Sequence, residues 1–481
     1  MHSLQNKAHP PPKAIFSNKA RTIFRKKNKR SLLFFFVFSL IHGSSGAAET
    51  PFFSLTDAFH LAKKNDTQVL AALTEITAQE EQGRLAKAQL LPQITLTSGI
   101  EIHRQETRTP GFVPFNDNFN TEGFNVQLNH PLFNLSNIDF LEQKHIDSEI
   151  AKIQYFAAEQ DLIYQVASNY FDVMISQESM TTVNAQMKAM TQLYGQANTA
   201  YRNGNADQID VDEIRSSMDL LRSQSVITRN DLEIKKHRLL ILTGDFPAKL
   251  AKNLNKKLDT PLSPSEMSSW EKEALRSSLT LNIAKLNLYR AKKQVHAEKS
   301  EHYPTLDLVL SHGQSIRNDD HSLETTAALQ LELPLYQGGA TSAQIREAQA
   351  YEEKTKYLLQ DTTKQVLLSV REAFLEAKNG RLLTRSANQA LISSQKLLDS
   401  TYSAFDNGIR GSLDVLNAQL GLFESQREKL RSEYNFLTSI LKLKLMAGVL
   451  APEDLSEIDR LLNLATTNQS GNKEKIAYEL N

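Results

Sequence analysis

Two periods of hydrophobic and polar positions alternate along the chain. In residues 93–103, Ile94, Leu96, Ile100 and Ile102 fall on one face, while Gln93, Thr95, Thr97, Glu101 and His103 fall on the other. The same period of two runs through 124–129, where Phe124, Val126 and Leu128 oppose Asn125, Gln127 and Asn129. It returns in 326–335, where Leu329, Leu331, Leu333 and Leu335 oppose Thr326, Gln330 and Glu332. Strict alternation gives a strand one oily side and one wet side. Four strands are expected, near 93–104, 123–133, 305–313 and 324–336. Each is about ten residues, the length that crosses a bilayer at a tilt.

Between the strands the period lengthens. Residues 136–202 hold no proline and a single glycine, Gly195, and Gly380 alone interrupts 340–406. About 67 residues at ~1.5 Å each make a helix of about 100 Å. The apolar positions follow a narrow three-four spacing: Ile163, Val166, Tyr170 and Val173 in the first stretch, Val366, Val370, Phe374 and Ala377 in the second. That is a coiled-coil-like seam, with water on the other faces. Each stretch ends at an Asn-Gly pair, Asn203-Gly204 or Asn407-Gly408. Asn-Gly accepts positive φ and turns the chain at little cost. Helical hairpins over about 136–243 and 340–447 are therefore expected, with both tips at the end far from the strands.

The order of features occurs twice. "AKAQLLPQITLTSGI" (86–100) and "EKSEHYPTLDLVLSHG" (298–313) each pass from helix through proline into strand, at Leu91-Pro92 and Tyr303-Pro304. "NHPLFN" (129–134) matches "ELPLYQGG" (332–339), and "LLILTGDF" (239–246) matches "LKLMAGVL" (443–450). Ordered recurrence of this kind marks a duplication. The expected organisation is a first repeat over 49–260, a second over 261–450, and a polar C-terminal tail over 451–481.

Composition narrows the function. Lys plus Arg and Asp plus Glu both total 55, so there is no basic excess for nucleic acid. With no cysteine, thiolate metal sites and disulfides are excluded. Basic residues 25–30, the apolar run "SLLFFFVFSLI" (31–41) and small residues up to Ala48 read as a signal peptide over 1–48, with a single membrane anchor as the alternative. The chain shows no G-x-S-x-G, P-loop, H-E-x-x-H or G-x-G-x-x-G, so no enzyme and no cofactor is expected. His296 and His302 flank a helix–strand junction without an acidic ligand set in sequence, and no metal site is expected there. Trp270 and Tyr289 either mark a belt around the helices or pack between them.

Four strands cannot close a barrel, since about eight is the minimum. An open edge in lipid leaves backbone groups unpaired, each costing several kcal/mol. Either the hairpins are soluble or several chains share one barrel. Three chains would supply twelve strands.

In their order and doubling, the Leu91-Pro92 and Tyr303-Pro304 junctions, "PLYQGG" (334–339), "RNGNADQIDVDEIR" (202–215) and "NGIRGSLDVLNAQ" (407–419) resemble the TolC family of outer-membrane efflux and type I secretion channels, over about 49–450. The resemblance implies a mainly α fold with a transmembrane β part. In it, a homotrimer builds a 12-stranded β-barrel in the outer membrane of a Gram-negative bacterium, continued by a 12-helix α-barrel through the periplasm. It implies an exit duct, embedded in outer-membrane lipid, that receives small molecules or unfolded polypeptide from an inner-membrane ABC or RND-type pump through a periplasmic adaptor (membrane fusion) protein. It places the aperture at the second tip. Asp414 takes the place of the ring carboxylate, Asn417 that of a second acid, Arg410 that of a lock residue with Asp210 in its acidic partner region, and Phe405 that of a lock tyrosine. The tips Asn203, Gly204, Asn407 and Gly408 take the place of the adaptor contact. Read without the resemblance, Asp414 just after Ser412 is also a first-turn acid favoured by the helix dipole, with Ser412 as N-cap. A soluble periplasmic coiled-coil adaptor or scaffold is the rival from another class. It explains the helices but not four strands of membrane length.

Overall fold

The computed structural model describes residues 53–108, 110–111, 115–204, 207–245, 262–317 and 320–462; the expected signal peptide over 1–48 lies outside them. The first repeat runs α1 (Leu55–Asn65), α2 (Thr67–Ala88), β1 (Gln93–Thr107), β2 (Phe115–Phe133), α3 (Leu135–Arg202) and α4 (Gln208–Thr243). The second runs α5 (Met267–Ser277), α6 (Leu279–Ser300), β3 (Thr305–Arg317), β4 (Asp320–Glu332), α7 (Ala340–Asp406) and α8 (Ser412–Ala447). Helices α1 and α2 recur as α5 and α6 at an offset of 212 residues, and α4 recurs as α8 at 204.

The sequence sets the helix ends locally. Ser54 Oγ accepts from the Asp57 amide while Asp57 accepts from the Ser54 amide, closing a capping box on α1. Asp66 caps α2 through the Val69 amide, and Ser278, at the matching place, caps α6 through the Leu281 amide. Gly244 and Gly448 end α4 and α8 in the left-handed region, at φ 74° and 76°. Among the described residues no helix is long and apolar enough to cross a membrane.

The four strands form one antiparallel sheet in the order β1-β2-β3-β4, so β1 and β4 are its edges. Its apolar face is open: Ile94, Leu96, Ile100 and Ile102 are 67–71% exposed. On β2, Thr121, Gly123, Asn125 and Gln127 are half-buried while Glu122, Phe124 and Val126 are exposed. The polar face is therefore the sheltered one, the reverse of a water-soluble sheet. Strand β4 ends at Glu332, so Leu333 and Leu335 lie past it; Pro334 has no N–H with which to extend the ladder.

The largest core lies where α1, α3 and α8 meet. It holds Leu55, Phe59, Ile163, Val166, Tyr170, Phe171, Tyr434 and Phe436, each at most 2% exposed. The helical seam positions Ile163, Val166, Tyr170 and Val173 are all buried in it. Beside this core Glu433 is buried, bridged by Lys429 at 3.0 Å. Desolvation pushes its carboxyl above the ordinary range, and Lys429 opposes the rise. A second core gathers Trp270, Val370, Phe374 and Ala377, and Trp270 Nε1 donates to the Pro264 carbonyl at 2.8 Å. Trp270 thus packs between helices, whereas Tyr289 lies at the surface and donates to Glu142 at 2.9 Å.

The stretch after 450 differs from the expected polar tail. Residues 452–462 are helical, and Leu455, Ile458 and Leu462 enter the main core. Their three-four spacing sits among charged residues that keep the segment's average polarity high. Asp459 caps α1 from this segment, accepting from the Leu55 and Thr56 amides at 2.8 and 2.9 Å. Helix α1 and residues 452–462 are therefore one structural unit.

Candidate functional site at the hairpin tips

Both tips turn on a glycine in the left-handed region, Gly204 at φ 76° and Gly408 at φ 70°. The Gly204 amide donates to the Tyr201 carbonyl and the Gly408 amide to the Phe405 carbonyl, each at 2.9 Å. Asn407 secures its own turn, donating from Nδ2 to the Ser403 carbonyl at 2.6 Å. Asn203 is the C-cap of α3 and exposed. Tyr201 and Phe405 therefore hold the same position in the two repeats, and Phe405 packs against a core of Leu193, Ile214, Val415 and Leu416.

Asp210 and Asp414 are also matched positions, 204 residues apart, and the structure gives them different partners. Asp414 folds back on its own helix start, Oδ2 accepting from the Gly411 amide at 3.1 Å. Its Oδ1 accepts from Arg410 Nη1 at 3.0 Å. Asp210 instead accepts from the Ser412 hydroxyl at 3.2 Å, a bond that ties the first hairpin to the second. Within the chain the Arg410 guanidinium is thus brought to Asp414, one helical turn on, and not to Asp210. The N-cap of α8 is Gly411, one residue before the expected Ser412. That shift frees the hydroxyl of Ser412, a residue only 6% exposed, to reach across. Asn417 is exposed one turn beyond Asp414.

Two contacts here have no signal in the sequence. Ser412 reads as a cap, and nothing in the spacing names Asp210 as its acceptor. Gln419 is buried and bonds to the Tyr402 hydroxyl, tying α8 to α7 behind the tip. Only the packing between helices reveals either pair. One acid does stand beside His296: its Nδ1 lies 2.5 Å from the buried Asp139 carboxylate, which also accepts from Ser300 Oγ at 3.2 Å. Asp139 is 157 residues away along the chain, so it was invisible to local spacing. The trio joins α3 to α6, and among the described residues no cluster fit to hold a metal is found.

The sequence model of the outer membrane efflux protein family matches residues 58–245 and 270–449, the greater part of both repeats. The chain belongs to the outer membrane efflux protein family. It is 26% identical over 424 residues to the outer membrane protein TolC of Vibrio cholerae, a match spanning 86% of this chain and 94% of that one. To the alkaline protease secretion protein AprF of Pseudomonas aeruginosa it is 25% identical over 414 residues, spanning 83% of this chain and 85% of AprF. The crystal structure of the Campylobacter jejuni CmeC outer membrane channel superposes with a TM-score of 0.72 at 16% identity, covering 85% of this chain and 89% of that one. The chain is accordingly an outer-membrane channel of the efflux and type I secretion class, with a β part in the membrane and long helices on the periplasmic side.

Proposed function

We propose that three copies of this chain close one barrel and that the joined hairpins form a gated duct ending at the tips. One observation carries this reading: a four-stranded sheet with two edges, β1 and β4, and an open apolar face. In lipid such a sheet is tolerable only when both edges are paired. Twelve strands from three copies meet that need with an even count. The apolar residues then meet lipid, and Thr95, Thr97, Asn125 and Gln127 line a wet lumen.

The tips act as the gate. Asp414, repeated around the axis, would ring the aperture, and like charges on a narrow axis favour cations. Two features weaken that ring. Arg410 lies 3.0 Å from Asp414, and Asn417 adds an amide where a second carboxylate would double the charge. Opening separates the second hairpin from the first, which breaks the Ser412–Asp210 bond. Phe405 has no hydroxyl with which to bridge helices and contributes packing alone. The turns at Asn203-Gly204 and Asn407-Gly408 are exposed at the tips and suit a helical periplasmic adaptor, which would couple the duct to an ABC or RND-type pump. The duct itself hydrolyses nothing; cargo is pushed through by the pump.

Reconstitution into planar bilayers tests the reading. The purified chain should run as a heat-modifiable oligomer from outer-membrane fractions and should open long-lived channels. A lone subunit released by salt washing without detergent would overturn it. Deleting the gene and scoring both drug sensitivity and protein secretion assigns the cargo class.

A further inference from the structure

The apolar face of the sheet is interrupted near one end. The helices all join the sheet at the other end, through the first residues of β1 and β3 and the last of β2 and β4. The end at Thr107 and Arg317 is therefore the one away from the periplasm. Near it the register sets Ser98, Phe124 and Gln314 in one row of this face, and Ile100, Glu122 and Ile316 in the next. These six side chains line a groove of about 380 Å³, with the backbone of Gly99 and Gly123 as its floor. That volume lies in the range of small-ligand sites. Ile102 lies one row further out on the same face and is 71% exposed, so the apolar band continues past Glu122. A carboxylate set inside such a band calls for a partner. Among the described residues neither the Glu122 carboxylate nor the Gln314 amide has one.

Two glycines make the hollow. A Cβ on Gly123 would lie 2.2 Å from the Gln314 carbonyl oxygen, and one on Gly313 would lie 2.7 Å from the Phe124 carbonyl oxygen. Only glycine lets β2 and β3 approach so closely, and glycines of this kind mark a bend in a strand. The exposure pattern of β3 records the bend. Up to Gly313 the residues Val309, Ser311 and Gly313 are half-buried, while Leu310 and His312 are exposed. Past it the order inverts: Gln314 and Ile316 are half-buried, while Ser315 and Arg317 are exposed. The sheet thus turns a hollow side toward its apolar face at the level of the groove.

We propose that this groove seats a sugar ring of a glycolipid in the outer leaflet. The proposal rests on the closed-barrel reading, which turns the apolar face to lipid. The lining chooses the occupant. No Lys or Arg is among the six residues, so a bare phosphate would meet a carboxylate with no cation to offset it. A sugar hydroxyl instead donates to the Glu122 carboxylate, and a second accepts from the Gln314 amide. Hydrogen bonds to a charged acceptor are the strong ones. The Ser98 hydroxyl donates to the Gly123 carbonyl at 3.0 Å, and its oxygen can still accept. Ile100, Phe124 and Ile316 give the C–H face of the ring an apolar wall. Toward the periplasm the same face continues as Leu96, Ile94, Leu128 and Leu310, a stripe that an acyl chain of the same lipid covers.

Native mass spectrometry tests this on the full chain, purified from outer membranes as a heat-modifiable oligomer and titrated in detergent with monoglucosyl diacylglycerol. The wild-type oligomer should take up one glycolipid per chain. Glu122→Ala and Gln314→Ala should each raise the lipid concentration for half-occupancy about tenfold. Glu122→Gln keeps an acceptor and should raise it less. Glu324→Gln, on the opposite face beside Gly313, should leave it unchanged. Equal uptake by wild type and Glu122→Ala overturns the proposal. A preference for phosphatidylethanolamine over the glucolipid also overturns it, because Glu122 would then serve an ammonium group. Uptake of lipid A alone, in magnesium and not in EDTA, makes the site a cation bridge and overturns the sugar reading too. In all three cases the oligomer is intact and the channel stands. A chain that is monomeric before any lipid is added takes down the closed barrel, and the groove's place in lipid with it.

Discussion

Asp210 and Asp414 occupy one position in two copies of the same hairpin tip, and they meet different partners. Asp414 is satisfied within its own hairpin, by the Gly411 amide and Arg410. Among the described residues, Asp210 finds its partner in Ser412 of the other hairpin. A duplicated fold thus keeps its turn, since both tips need the same left-handed glycine, and diverges in the polar contacts that set how tips hold one another. The acid of the first tip reaches across to the second, while the acid of the second is held within its own hairpin.

The largest effect should come from the matched glycines that end the returning helices. A Cβ on Gly448 would lie 2.5 Å from the Ser277 carbonyl oxygen and 2.8 Å from Ser278 Cα, both backbone. On Gly244 it would meet the Asn65 side chain at 3.0 Å, which can swing away. Gly448→Ala should cost ~3 kcal/mol or more through strain and backbone shift, against ~1 kcal/mol for Gly244→Ala. The temperature at which the oligomer loses its helical circular-dichroism signal compares them; equal losses would break the contrast.

Next comes the bond between tips. Ser412→Ala leaves the Asp210 carboxylate without its cross-hairpin donor, a loss of ~1–3 kcal/mol. The matched residue, Gln208, bonds to exposed Asp212 on its own helix, so Gln208→Ala should change stability by less than ~0.5 kcal/mol. In planar bilayers Ser412→Ala should raise single-channel conductance, and Gln208→Ala should leave it alone.

Arg410→Ala should matter less for stability, because both partners of its ion pair are well exposed, at 60% and 40%; the loss should stay under ~1 kcal/mol. Its signature is electrical. Without the guanidinium, Asp414 presents its full charge, and the reversal potential in a salt gradient should move toward cations. A larger conductance rise for Arg410→Ala than for Ser412→Ala would return the lock to Arg410.

The smallest effect is a pH dependence. Burial raises the Glu433 carboxyl above its ordinary value of 4.5, so the folded state holds the proton more tightly than the unfolded chain. Its favourable contribution is present at low pH and is lost as the pH climbs from that ordinary value through the raised one. Glu433→Gln should flatten the fall in melting temperature over this window. The matched residue in α4 is Arg229, which is exposed, and Arg229→Gln should leave the profile as it is.

Much of the architecture is legible in the residue pattern because its causes are local. Alternation over a few residues marks strands β1, β2 and β4, the three-four seams mark α3 and α7, and Asn-Gly marks the turns. What escaped was decided by distance along the chain. Asp139 beside His296, Asp459 capping α1 and Asp210 beside Ser412 join residues 157, 404 and 202 positions apart. No spacing rule connects these. The helix over 452–462 was hidden for a related reason: three apolar residues among charges look like a tail until a core exists to receive them.

The sequence by itself determined the elements, their duplication, and the four amphipathic strands that a single chain cannot close, because backbone propensity and hydrophobic period act within a turn or two. Only the tertiary structure decided which acid each polar group meets. A hydrogen bond is specified by position to within an ångström, and that position is set by the packing of helices tens of residues long.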